Sequence, residues 1–219
     1  MSDTLQYLSV AALPLLFAIT LHEAAHGWVA KQFGDTTAQV LGRLTLNPIK
    51  HIDPVGTILV PGLLLVLGGF MFGWAKPVPV NTRNLRNPKR DMAIVAVAGP
   101  MANLLMALLW AVIMKLGLAL GEAASWVSVP MVYMGAIGIW LNLILMVLNL
   151  LPIPPLDGGR VLSGLLPNSL SDKLDRVEPF GIFIVLGLLV LGVLSQILLP
   201  LVSFLMEAIS GVFGLPRVL

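Results

Sequence analysis

The chain contains no cysteine and little charge. Without cysteine it can form no disulfide, no thiolate zinc site and no cysteine nucleophile. Any transition metal must therefore be held by the 3 histidines and 11 acidic residues. The 13 basic and 11 acidic side chains make up 11% of 219 residues, where a soluble domain carries about a quarter. Hydrophobic residues reach 58%, too many to hide in one core beneath a charged exterior. Such a chain reads as an integral membrane protein. Its net charge of +2 is scattered between apolar runs and makes no stripe for nucleic acid, so no nucleic-acid partner is expected.

Apolar runs dominate what is present. Four are long enough to cross a bilayer, which takes about 20 residues; they predict spans over about 5–31, 91–118, 127–151 and 179–199. A shorter run over about 56–74 is interrupted by Pro61, Gly62, Gly68 and Gly69. Beyond Pro200, residues 201–213 read as a short interfacial helix. The first run begins at Asp3 rather than at basic residues and ends in a polar cluster, so it does not read as a cleaved leader. No tandem repeat, low-complexity tract or linker divides the chain, and one membrane-embedded domain over 1–219 is expected. Between Thr36 and Leu46, β-branched and turn residues alternate around Leu41-Gly42-Arg43, which predicts a short β-hairpin. The expected fold is thus an all-α polytopic membrane protein with that hairpin beside it.

The polar cluster in the first run is His22-Glu23-Ala24-Ala25-His26. On a helix, positions i and i+4 share a face, so His22 and His26 can ligate one metal while Glu23 takes a proton from water. A three-position match also arises by chance. Here it uses two of three histidines and places all three polar groups in an apolar helix, where each is costly unless paired or functional. A catalytic zinc takes three protein ligands and an open position. Val29 and Gln32 stand where an extended motif would need glycine and histidine, leaving His51, Asp53 and Asp157 as candidate third ligands. Asp157 follows a proline-rich stretch, Pro152-Ile153-Pro154-Pro155-Leu156, at the end of an apolar run. Irregular backbone at that depth lines a protein or water cavity; an ordinary loop aspartate capping the next helix is the alternative.

His22-Glu23-x-x-His26, followed much later by Asn149-x-x-Pro152-x-Pro154-x-Leu156-Asp157-Gly158, resembles the site-2 protease family of intramembrane zinc metalloproteases. Gly99-Pro100-x-x-Asn103 is similar to a third feature of that family. The resemblance covers roughly residues 15–165 and the compact prokaryotic branch without PDZ or CBS domains. It implies one zinc ion held by His22, His26 and Asp157, Glu23 as catalytic base and Asn149 as a polar group facing the reaction centre. It also implies a membrane-spanning protein substrate. An extended substrate segment is expected to pair with the hairpin near Val40–Leu46.

For these ligands to meet, the first and third long helices must run parallel, which requires the 56–74 segment to dip in and return. The basic residues test this separately. With a re-entrant segment, Lys31, Arg43, Lys50, Lys76, Arg83, Arg86, Lys89, Arg90, Arg160, Lys173 and Arg176 share one face, leaving Lys115 and Arg217 on the other. Cytoplasmic loops favour Lys and Arg, so an outside N-terminus and a site opening toward the cytoplasm are expected in a multi-pass cell-membrane protein. Trp74 and Lys76 are read as interface anchors, Arg160 as a partner of Asp157 or of lipid phosphate, and Asn142 as sharing a helix face with Asn149. The competing readings are a transporter, which would favour repeated halves that are not seen, and a silent zinc-binding scaffold.

Overall fold

In a bilayer each backbone polar group must be satisfied within its own segment, so the apolar runs become long helices. The computed structural model describes residues 2–59, 63, 73 and 75–216. In chain order its helices are α1 (Ser2–Gln32), α2 (Thr37–Val40), α3 (Pro88–Leu120), α4 (Ser125–Asn149), α5 (Asp157–Leu165), α6 (Asn168–Asp175), α7 (Gly181–Val190) and α8 (Val193–Phe213). Four segments are long and apolar enough to cross a membrane: Ser9–Gln32, Pro88–Leu120, Glu122–Asn149 and Val193–Phe213. Each long helix carries an interior proline, Pro14, Pro100, Pro130 and Pro200 respectively. Spanning helices tolerate this because neighbouring groups re-satisfy the freed carbonyl.

Helix directions follow from pairwise contacts. Asn103 of α3 bonds the Ala18 carbonyl and faces His22, whereas His26, further along α1, meets Val95. Advancing on α1 therefore means retreating on α3, so the two are antiparallel. Along α3, Trp110 packs at Gly138, Met114 at Gly135 and Gly117 at Met131, so α4 is antiparallel to α3. The α1 and α4 helices run parallel, as expected. Bare glycine allows the close approach: a Cβ on Gly138 would sit 2.3 Å from Trp110 Cγ, and one on Gly135 2.4 Å from Met114 Cβ. Association within a membrane rests largely on such packing.

The connection from α1 to α3 begins and ends at one end of the bundle. Arg86 N donates to Phe33 O at 3.1 Å. Buried Asp35 staples the same place, accepting from Asn81 N at 2.7 Å, Thr37 N at 3.0 Å and Asn84 Nδ2 at 3.0 Å. Burial alone would raise the Asp35 carboxyl. The hydrogen bonds from Thr37, Asn84 and Asn81 outweigh it and hold the group below the ordinary carboxylate range. Lys76 N donates to His51 O at 2.9 Å, so the two flanks of the short apolar run lie side by side. The expected re-entrant segment over about 56–74, with Trp74, lies outside the described residues except for 56–59, 63 and 73.

Two expectations are corrected. The described residues contain no strand, and the β-hairpin expected over Thr36–Leu46 is a capped helical turn instead. Val40 N and Leu41 N bond back to the Thr36 and Thr37 carbonyls, and Arg43 N and Leu44 N both return to Ala38 O. Gly42, at φ +63, closes the turn in the left-handed conformation that ends helices. Local i to i+4 bonding thus wins over the β propensity of the threonines and valine, and the edge expected to pair with substrate is not there. The fourth span also moves. Gly192, at φ +71, splits the expected 179–199 helix into α7 and α8. At 10 residues α7 reaches about 15 Å, half the hydrocarbon thickness. Helix α8 continues through Pro200 to Phe213, because Leu194, Leu198, Val202 and Ile209 form a buried stripe against the α3–α4 core. Segment 201–213 is therefore part of a membrane-compatible helix.

Candidate metal centre

His22 and His26 lie one turn apart on α1, their rings edge-to-face with centroids 4.7 Å apart. Their Nε2 atoms approach to 3.1 Å, and Asp157 Oδ2 lies 3.2 Å from the first and 3.3 Å from the second. All three residues are buried. They form the one His/Asp/Glu cluster of metal-binding geometry among the described residues.

The proton count decides what this triangle holds. His22 Nδ1 faces Asn103 Oδ1 at 2.6 Å, and His26 Nδ1 faces the Val95 carbonyl at 2.7 Å. Both partners accept, so each Nδ1 carries the hydrogen and each Nε2 of the neutral ring is a bare lone pair. Asn103 is oriented in turn: its Nδ2 donates to Ala18 O at 3.2 Å and Asn142 Oδ1 at 3.0 Å, while Asn142 Nδ2 donates to Gly138 O at 2.8 Å. Asp157 Oδ2 is buried without a hydrogen-bond donor. Three lone pairs therefore converge with no proton between them, which asks for a cation. A tetrahedral zinc with bonds near 2.0 Å has ligand-to-ligand edges of about 3.3 Å, close to the separations found. The donor set fits zinc, and the outer hydrogen bonds fix ring tautomer and orientation as metal-bound histidines require.

Local sequence explains how Asp157 arrives. The turn after α4 carries Pro152, Pro154 and Pro155, which cannot continue a helix, and Asp157 opens α5. Gly158 and Gly159 let that turn close: a Cβ on Gly158 would lie 2.2 Å from Leu150 O, and one on Gly159 2.5 Å from Pro154 N.

The other expected residues have partners of their own. Glu23 Oε2 accepts from Val78 N at 2.7 Å. Asn149 donates its amide to Leu145 O of its own helix at 2.9 Å. Asn142 is buried in the Asn103 chain described above. His51 is buried with Nε2 on Thr45 O at 2.9 Å, and Asp53 accepts from Val55 N and Gly56 N at 2.9 and 2.8 Å. Neither of these two joins the metal cluster. Arg160 pairs with Glu178 at 3.3 Å, not with Asp157. Three functional contacts escaped the sequence reading: Asn103 on His22, Val95 O on His26 and the Val78 amide on Glu23. A signal existed for the first, since Asn103 is a polar residue inside an apolar span. Backbone partners leave no such mark.

Comparison with known proteins agrees with this geometry. The model of peptidase family M50 matches residues 10–128 and 115–192. The chain is 40% identical over 218 residues to "Putative zinc metalloprotease YwhC" of Bacillus subtilis, covering 97% of this chain and 96% of that protein. It is 34% identical over 214 residues to "Putative zinc metalloprotease Rip2" of Mycolicibacterium smegmatis, covering 95% and 78% respectively. Against the Mycobacterium tuberculosis H37Rv protein of the same name it is 32% identical over 197 residues, covering 90% and 72%. No solved structure matches. With four membrane-compatible helices around a zinc-fitting cluster and a family match along most of its length, the chain belongs to peptidase family M50, the site-2 proteases, and is a multi-pass membrane metalloprotease.

Proposed function

We propose that the protein hydrolyses peptide bonds of membrane-spanning protein substrates, as one membrane-embedded domain in the cell membrane with its site opening toward the cytoplasm. The observation that carries this reading is the convergence of three buried lone-pair donors on the inner turns of a membrane-compatible helix. His26 lies six residues before the end of α1 at Gln32, about 9 Å along its axis, so a peptide bond reaching it must come from within or beside the bilayer. A substrate helix hides its carbonyls in i to i+4 bonds and has to unwind before attack.

In this reading His22, His26 and Asp157 hold one zinc ion. When bound, the ion supplies Lewis acidity, polarising a carbonyl and making water nucleophilic near neutral pH. Glu23, adjoining His22, takes the proton from the attacking water and hands it to the departing amine. The oxyanion is assigned to Asn149 as a second donor; its amide must first release Leu145 O. Asn103 and Val95 keep both Nε2 atoms unprotonated and aimed.

The orientation rests on charge. Eleven of the 13 basic residues, from Lys31 to Arg90 and from Arg160 to Arg176, belong to segments at the metal-site end of the bundle, and such clustering marks the cytoplasmic side. The return of residues 51 and 76 to one place supports a re-entrant path between them. Labelling of single cysteines at positions 43 and 86 should report one face; opposite faces would sink the topology. The function is tested by reconstituting the protein with a tagged single-span substrate. Glu23→Gln should retain zinc and lose cleavage by about 10²–10⁴-fold. Undiminished cleavage by that variant would rule Glu23 out as the base.

A further inference from the structure

Residues 75–80 are neither helix nor strand and cross the Glu23 face of α1, where Val78 meets Glu23 and Gly27. Pro77 and Pro79 have no N–H, so from 77 to 79 the chain owns a single amide donor, that of Val78. That donor is spent on Glu23 Oε2 at 2.7 Å. Among the described residues the glutamate has no other hydrogen-bond partner.

The segment is fastened on both sides of this contact. Lys76 N bonds His51 O at 2.9 Å, and Lys76 O accepts from Arg43 Nη2 at 2.9 Å. Val78 itself is buried, 7% exposed, and seats on Gly27. A Cβ at Gly27 would lie 2.9 Å from Val78 Cγ1, 3.3 Å from Ala38 Cβ and 3.3 Å from Leu44 Cδ1. Glu23 and Gly27 are one helical turn apart on the same face. One residue of α1 thus receives the Val78 side chain, and the residue a turn earlier receives its amide.

We infer that the Pro77-Val78-Pro79 segment is a brace for the general base, in which the Val78 amide positions the Glu23 carboxylate for proton transfer. The inference rests on the assignment of Glu23 as base. A glutamate side chain has three free torsions, and a carboxylate on a mobile stem presents either oxygen in many directions. Holding Oε2 from the backbone leaves the other oxygen free and restricts where it points. The prolines keep the segment from pairing elsewhere, since they deny a neighbouring strand its ladder donors. Val78 is a positioning residue, acting through Glu23.

The test replaces the Val78 amide by an ester, through incorporation of the α-hydroxy acid analogue of valine, in the full-length protein reconstituted with the tagged single-span substrate. The side chain stays and only the N–H is lost. The expected result is a fall in kcat of about ten-fold or more, up to the hundred-fold that misplacement of a catalytic group costs, with KM and zinc content unchanged. An unchanged kcat overturns the proposal, and so does a parallel loss of kcat and zinc, which would mark a merely structural contact. A second arm uses side chains. Gly27→Ala should push Val78 off α1 and lower kcat with zinc retained; an unchanged kcat overturns the proposal. Glu23→Gln is measured alongside. If that variant cleaves normally the base assignment itself fails, whereas an inactive Glu23→Gln with a fully active ester refutes the brace alone.

Discussion

Gly99 offers the sharpest test of the metal centre, because one methyl group separates a fitting site from a blocked one. A Cβ built there would lie 2.4 Å from His26 Nε2, 2.6 Å from His26 Cε1 and 2.6 Å from His22 Cε1. Ordinary contact begins at 3.4 Å, so the ring of His26 must retreat by about 1 Å, and that of His22 by nearly as much. Metal bonds tolerate about ±0.2 Å. Neither ring can retreat freely, since His26 Nδ1 is held by Val95 O and His22 Nδ1 by Asn103. Losing an outer-shell partner costs about 10–100-fold in metal affinity; displacing two ligands should cost at least about 100-fold. Gly99→Ala is therefore expected to be helical yet zinc-poor. Zinc stoichiometry after titration with a competing chelator measures this, with circular dichroism as the folding control. Gly187→Ala is the matched comparison: its Cβ meets nothing within 4 Å, and zinc should be unaffected. Wild-type zinc affinity in Gly99→Ala would refute the geometry on which the site is built.

Further outcomes follow from the same structure. Asn103→Ala should weaken zinc about 10–100-fold, because the Nδ1 partner of His22 is lost together with the bonds to Ala18 O and Asn142 Oδ1; a normal chelator titration would contradict that role. Gly138→Ala drives a methyl into Trp110 and should lower thermal stability in detergent by about 1–3 kcal/mol, the usual cost of overpacking; an unchanged melting temperature would mean that α3 and α4 separate at no cost. Asp35 has its folded-state pKa lowered, so its contribution is complete above the unfolded value of about 3.9 and disappears as pH falls through the folded value. Asp35→Asn should thus be less stable than wild type at pH 7, with the gap closing on acidification. A gap that is constant with pH would show that the Asp35 hydrogen bonds are not coupled to its charge.

What was legible in sequence had local causes. His22 and His26 lie on one face because four residues make a turn, and four membrane-compatible helices follow from runs of apolar residues. Asp157 stood out because prolines in an apolar context demand an explanation. The errors also have local causes. Thr36–Leu46 alternates like a strand, but its amides find carbonyls three to six residues back once Gly42 turns left-handed. The 179–199 run looks continuous on hydropathy, which does not register that Gly192 leaves the helical basin while Pro200 remains within it.

By itself, then, the sequence determined the membrane habitat, the lone-pair chemistry available without cysteine, and which few residues can hold a metal. Tertiary structure decided which atoms meet. Asn103 and the Val95 carbonyl set the histidine tautomers across 81 and 69 positions, and Val78 reaches Glu23 across 55. Backbone groups are identical at every residue, so no pattern of side chains can announce that a particular carbonyl or amide will be the one to face the site. Antiparallel packing of α1 on α3, permitted by glycine at position 99, brings the Val95 carbonyl there, and the passage of residues 75–80 across α1 brings the Val78 amide.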